Sequence, residues 1–450
     1  MNFKPSGALE RLTAALLVLA FALAGWKVLQ QPAASPFAVP STDALQGPPR
    51  THSPAQQRSP DGRFRFDAQF VSSSPGQAVH AASLVELRDG RLRAVWFSGS
   101  REGAGDVTIQ SAATDATGLR WGAESTLFDR QALQQGLWRY VKKIGNPVIA
   151  RAPDGSLNLW MVNVSLGGWA GSSISWARST DEGASWSAPR RLVTSPFLNI
   201  STLVKGTPVI FENGETGLPV YHEFVAKFAE VLRLNAQGQV VDKVRIPGSR
   251  TSLQPVVLVS GPEKAQVYMR SGNATALMAS STTDAGKTWL PAHASAWPNP
   301  DSALAGTMTN SGTQWLALNP APRNRETLAL LQTAAGGSFD GVTPWIVESS
   351  VNPQARTSMA DYERLLTQEL KARGASDGEA QAYVASARRQ LCGGQSCSQE
   401  FSYPYLLQSR DGYLHLVYTW HRTRIKHVRL DPLQTLEAAQ AAPGHVSPGK

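Results

Sequence analysis

One phrase recurs six times along this 450-residue chain, and it constrains the fold more than any other feature. It is a short apolar strand, a turn that usually holds glycine, and a second apolar strand rich in Trp, Tyr and Val. The copies are Ser83–Phe97, Asn146–Val162, Thr207–Phe224, Leu253–Ser271, Met308–Pro320 and Tyr403–Trp420. Three of them turn on Asp-Gly (Asp89-Gly90, Asp154-Gly155 and Asp411-Gly412), a strong hairpin signal. A lone hairpin cannot bury its apolar face, so repeated units must stack on one another. Most of the starts are spaced widely enough for a four-stranded unit of about 40–50 residues plus loops. The expected fold class is therefore all-β, a six-bladed β-propeller. Closing six units into a ring also removes exposed sheet edges.

The longest interval, between the fifth and sixth copies, must hold an insertion. Tyr362, Leu365, Leu366 and Leu370 stand at helical spacing, and so do Ala380, Tyr383, Val384, Ala387 and Leu391. Ser376 and Glu379 have capping-box spacing. The spacing predicts a small α-helical hairpin insertion over 355–400, before the last blade. Its apolar stripes either pack on the propeller or form a lid. Cys392 and Cys397, the only two cysteines, close a small loop in CGGQSC and are expected to pair.

At the other end, Lys4 and Arg11 precede an apolar run from Leu12 to Trp26. The run reads as a signal peptide or signal anchor over 1–29. Either one puts the remaining chain at a bacterial inner membrane facing the periplasm, or free in the periplasm. Residues 30–60 read as a flexible Pro/Ala-rich linker, 61–432 as the propeller, and 433–450 as a disordered tail. The formal net charge is +9, but the basic residues are scattered and form no long run. Nucleic acid is therefore not an expected partner, whereas an acidic glycan is. No phosphate-loop, dinucleotide, HExxH or GxSxG motif occurs, so no cofactor or metal is expected.

Two segments match Ser/Thr-x-Asp-x-Gly-x-x-Trp: Ser179 to Trp186 and Thr282 to Trp289. Such a segment makes a tight turn, with Asp accepting backbone N–H bonds and Trp packing beneath. Looser copies run from Ala113 to Trp121 and from Ser338 to Trp345. These Asp-boxes, with the six phrases, resemble the sialidase (neuraminidase) superfamily of BNR/Asp-box propellers over roughly residues 75–430.

The resemblance implies an extracytoplasmic, glycan-active enzyme that hydrolyses an acidic glycoside. It also implies a site of three Arg on a carboxylate, a Tyr nucleophile with a Glu partner, and an Asp general acid. Asp106, in the loop after the first phrase, matches the acid; Arg101 and Glu102 share that loop. Tyr403, opening the last phrase, matches the nucleophile, with Glu223 as its partner. His222, beside Glu223, would point to the opposite face of its strand. Arg270 matches one Arg of the clamp, and Arg422 and Arg424 extend it along a shared strand face. His80 stands where the family carries an Arg-Ile-Pro phrase. Two other readings use the same residues. One is a polysaccharide lyase built on His80, His222 and Tyr403. The other is a non-catalytic, membrane-tethered propeller that binds glycan or protein.

Overall fold

The computed structural model describes residues 7–29, 35–39, 57–118, 120–195, 199–350 and 356–432. The expected tail, 433–450, and most of the expected linker lie outside them. The chain divides into two units, Met1–Ser35 and Pro36–Lys450. The first unit carries one helix, α1 (Gly7–Leu29). Leu16, Leu17, Val18 and Leu19 are all exposed on it, as are Phe21 and Trp26. Successive helical positions point about 100° apart, so the apolar surface runs all round rather than in one stripe. Among the described residues, no helix is long and apolar enough to cross a membrane.

The second unit is mostly β. Its described residues form six antiparallel sheets of four or five strands, numbered here in chain order, and one small three-stranded sheet. The first strands of sheets 1 to 5 begin at Ala78, Lys143, Leu203, Ser252 and Ala305. Sheet 6 combines both ends of the unit. Phe401–Gln408, Leu414–Trp420 and Arg424–Leu430 come from the C-terminal side, and Arg65–Phe70 pairs with the last of them.

The apolar core is divided between these sheets. Phe97 packs with Leu159 between sheets 1 and 2, and Trp160 with Val220 between sheets 2 and 3. Val231 meets Val267 between sheets 3 and 4, and Tyr268 meets Leu316 between sheets 4 and 5. Trp315 meets Leu416 between sheets 5 and 6, and Tyr405 meets Trp96 between sheets 6 and 1. Each large buried side chain adds about 1.5–3 kcal/mol. Every sheet thus depends on two neighbours, as in a propeller.

Helix α2 (Arg130–Leu137) lies between sheets 1 and 2. The insertion forms α3 (Met359–Ala372) and α4 (Asp377–Leu391), and Ser376 and Glu379 make a reciprocal capping box. Cys392 and Cys397 are disulfide-bonded. Tyr362, Leu366 and Tyr383 are buried in one cluster with Trp420 and Val428 of sheet 6. Lys426, 1% exposed, donates to Glu369 of α3 at 2.9 Å. The stripes therefore pack on the propeller.

One stretch of the expected linker is docked rather than free. Phe37 is buried, stacks on Phe211 at 5.0 Å and donates its N–H to the Pro262 carbonyl. An aromatic side chain in an otherwise Pro/Ala-rich stretch supplies the apolar area that holds this short segment down.

Candidate active site

Four first strands share an irregularity. In sheets 1, 2, 4 and 6 the pairing register slips across a two-residue bulge near the start of the strand. The first bulge residue is left-handed each time: Ala81 (φ 56°), Asn146 (φ 41°), Gln254 (φ 50°) and Tyr403 (φ 54°). In three of the four the next residue is proline: Pro147, Pro255 and Pro404. Proline has no N–H to lose from the ladder, so it suits a bulge. A left-handed non-glycine residue costs about 1–2 kcal/mol, and a bulge re-aims the side chain it carries. Here three of the re-aimed side chains, Asn146, Gln254 and Tyr403, join one network.

The Tyr403 hydroxyl oxygen accepts from Arg270 Nη1 at 3.0 Å and from Gln254 Nε2 at 3.3 Å. Gln254 Nε2 also donates to the Tyr221 hydroxyl at 3.4 Å, and Asn146 Nδ2 donates to it at 3.2 Å. Arg270 donates from Nε to Asp301 at 2.7 Å and from Nη1 to Gln254 Oε1 at 3.0 Å. Arg325 then donates to the Asp301 carbonyl at 2.7 Å and pairs with Glu400 at 3.4 Å. Glu400 accepts from Arg422 Nε at 2.9 Å, and Arg422 Nη1 lies 3.7 Å from Glu102. This polar chain takes residues from all six sheets and their loops, joining positions as far apart in sequence as Glu102 and Arg422.

Electrostatics follow from burial. Burial and the nearby Arg422 keep the His80 imidazole neutral, well below its ordinary value. Its ring lies tilted against that of Tyr403, centroids 4.1 Å apart, and its Nδ1 is buried with no bonding partner among the described residues. Burial would raise the Glu400 carboxyl, but Arg422 and Arg325 hold it down at about 2. Burial raises Glu223 above the usual carboxylate range, and Arg270 opposes this only in part. Burial alone lowers the Lys205 ammonium to about 7. That ammonium donates to the Pro404 carbonyl at 2.9 Å, directly behind the Tyr403 bulge.

The sequence-predicted residues divide into two groups. His80, Glu102, Glu223, Arg270, Tyr403 and Arg422 all lie in or against the network. Glu223 shares its strand face with Tyr221, while His222 points away, bonded to Glu230 at 2.9 Å and stacked on Phe228. Asp106 is exposed and serves its own loop, accepting from the Ser100 N–H and hydroxyl, each at 3.0 Å. Arg101 is exposed on the same loop.

Arg424 corrects an expectation. It is clamped between the rings of Phe70 and Tyr383, each 4.3 Å away, and so belongs to the contact with the helical insertion. The shared strand face assumed for Arg422 and Arg424 fails because Arg422 (φ 55°) sits in the turn before the strand begins. Among the described residues no carboxylate is bonded to the Tyr403 hydroxyl; its partners are the Arg270 guanidinium and the Gln254 amide. Sequence reasoning passed over Asn146, Gln254, Tyr221, Lys205, Asp301 and Glu400. The first two could have been found, because each precedes a proline at the start of a repeated phrase, as Tyr403 does.

The model of the BNR repeat-like domain matches residues 90–416, more than half of the chain. The chain belongs to this family. No curated protein sequence matches it. Among solved structures, this BNR-family chain is similar to the Hadza microbial sialidase Hz136, at a TM-score of 0.58 and 13% identity. That match covers 79% of this chain and 66% of the sialidase. A protein of unknown function from Dyadobacter fermentans matches at 0.59 and 11%, covering 81% of this chain and 97% of the other. The intramolecular trans-sialidase of Ruminococcus gnavus matches at 0.56 and 12%, covering 81% and 96%. At these identities the likeness is one of fold.

Proposed function

We propose that this chain is an extracytoplasmic glycan-active enzyme that cleaves an acidic glycoside at the centre of its propeller. The observation that carries the reading is the Tyr403 hydroxyl, held by Arg270 at 3.0 Å within a polar chain drawn from every sheet. We read the six sheets as six blades around one channel, with the substrate entering over Tyr403. Arg270 and Arg422 attract its acidic group, since guanidinium pairs well with carboxylate and sulfate. Glu223, whose carboxyl burial raises above the usual carboxylate range, is the proton-exchanging carboxyl. The solved structures named sialidase and trans-sialidase support this substrate class. The exposed apolar surface of α1 supports export, as a cleaved signal or as an anchor at a bacterial inner membrane, with the propeller in the periplasm.

A second reading, a non-catalytic glycan-binding propeller, is favoured by Gln254. An amide beside Tyr403 cannot take up a proton as a carboxylate can.

The test is a turnover screen of the purified full chain in detergent. Fluorogenic sialosides and acidic oligosaccharides are the substrates, with Arg270→Met alongside. Fluorophore release that Arg270→Met abolishes supports hydrolysis. An unsaturated, ultraviolet-absorbing product moves the reading to a lyase. Binding of an acidic glycan without turnover selects the second reading.

A further inference from the structure

The bonds around Gln254 fix how its own amide and the two phenols beside it are oriented. Arginine is only a donor, so the group facing Arg270 Nη1 at 3.0 Å must be the amide oxygen of Gln254. The amide NH2 is thereby turned toward the two phenols, at 3.3 Å from Tyr403 and 3.4 Å from Tyr221. Each phenol oxygen then accepts two bonds: Tyr403 from Arg270 and Gln254, Tyr221 from Asn146 and Gln254. A phenol has two acceptor sites and one proton. With both acceptor sites filled, the proton is the one group left to bond, and neither hydroxyl donates to any described residue. Tyr221 is 2% exposed, whereas Tyr403 is 9% exposed, so Tyr403 is the phenol that a ligand can reach.

We infer that Gln254 is a positioning residue that presents the Tyr403 hydroxyl as a hydrogen-bond donor to an anionic oxygen of the ligand, with Tyr221 holding the amide in place. The inference rests on the reading of this centre as the ligand site. It goes further by naming the group recognised, a carboxylate or a sulfate ester on a sugar. It also assigns Tyr403 a role in which the O–H bond is kept and no covalent bond to the sugar forms. A glutamate at position 254 would do the opposite. Its carboxylate would accept the Tyr403 proton and leave none for the ligand.

The test uses full-length protein labelled with ¹³C at the tyrosine Cζ, its nine signals assigned by single Tyr→Phe changes. Acetate and sulfate serve as probes. The expected result is a saturable shift of the Tyr403 signal with at least one anion; which one responds identifies carboxylate or sulfate as the recognised group. Gln254→Glu is expected to weaken that response at least tenfold, and Tyr221→Phe less than Gln254→Glu. Gln254→Met, which neither donates nor accepts, is expected to fall between them, and thermal melting checks that each variant is folded. Three results overturn the inference: no shift of Tyr403 with either anion, equal responses in Gln254→Glu and the unaltered chain, or a covalent adduct on Tyr403 after treatment with 3-fluorosialyl fluoride. Anion binding without turnover of any glycoside leaves this inference standing and sinks the hydrolase reading. Turnover with no anion response does the reverse.

Discussion

The turn from Ser179 to Trp186 and the bulge at Tyr403 handle polar groups in opposite ways. In the turn, Asp181 accepts from the Ser185 N–H at 2.9 Å and from the Ser179 hydroxyl at 2.7 Å. Ser185 and Ser179 hold the Asp181 carboxyl well below its usual range. Every partner lies within four residues, so the turn can form wherever its sequence occurs. The Asp284 turn repeats the pattern with Thr282 and Thr288. At the centre, Tyr403 is bonded by residues 133 and 149 positions away. Its neighbours include a buried neutral His80, a buried lysine lowered to about 7 and a carboxyl raised by burial. The turn is satisfied locally and stabilises the fold. The centre carries backbone strain and desolvated charge, a pattern typical of functional sites.

The sharpest way to break this contrast is Tyr403→Phe. Removing a hydrogen bond to a charged group typically costs about 1.5–3 kcal/mol, roughly a 10- to 150-fold loss. Turnover is expected to fall by that much while the thermal melt stays within a few degrees of the parent. A fall in stability with little loss of rate would make the centre as structural as the turn.

Glu223 tests the same contrast through pH. Its folded value is raised, so the acid form persists above the usual carboxylate range, and activity that needs its proton falls as pH rises through that raised value. Glu223→Gln is expected to lower the rate about 100-fold and to remove the alkaline fall from the pH–rate profile. An unchanged profile removes Glu223 from the chemistry.

Lys205 probes the desolvation directly. Its folded value is about 7 against an ordinary 10.5. Between those limits the unfolded chain holds a proton that the folded chain has lost, so stability rises with pH across that window. Lys205→Met removes the slope. The difference in unfolding free energy between parent and variant should change by on the order of 3–5 kcal/mol from pH 7 to pH 10.5. Parallel stability curves in urea would show that the lysine stays charged.

The smallest effect belongs to the Asp181 turn. Asp181→Ala is expected to lower the thermal melting temperature slightly and to leave turnover unchanged. A loss of turnover would mean that the two regions are coupled.

Much of the scaffold was legible in the sequence because its causes are local. Alternating apolar residues and Asp-Gly turns predict the hairpins. The 355–400 spacing predicts α3 and α4, down to the Ser376 and Glu379 cap. Tyr403 and Arg270 were singled out by the resemblance, from their places in the repeated phrase. Gln254 was legible only in retrospect, through the proline that follows it.

What tertiary structure alone decided is which side chains meet. A strand pattern tells which face a residue takes, but the left-handed bulges turn Asn146, Gln254 and Tyr403 off that pattern. Arg422 and Arg424 looked equivalent until a turn sent one to Glu400 and the helical insertion claimed the other. The sequence by itself determined the repeated sheets, since each hairpin is encoded within its own phrase. It did not determine the amide beside Tyr403, because that contact exists only once six separate sheets have packed side by side.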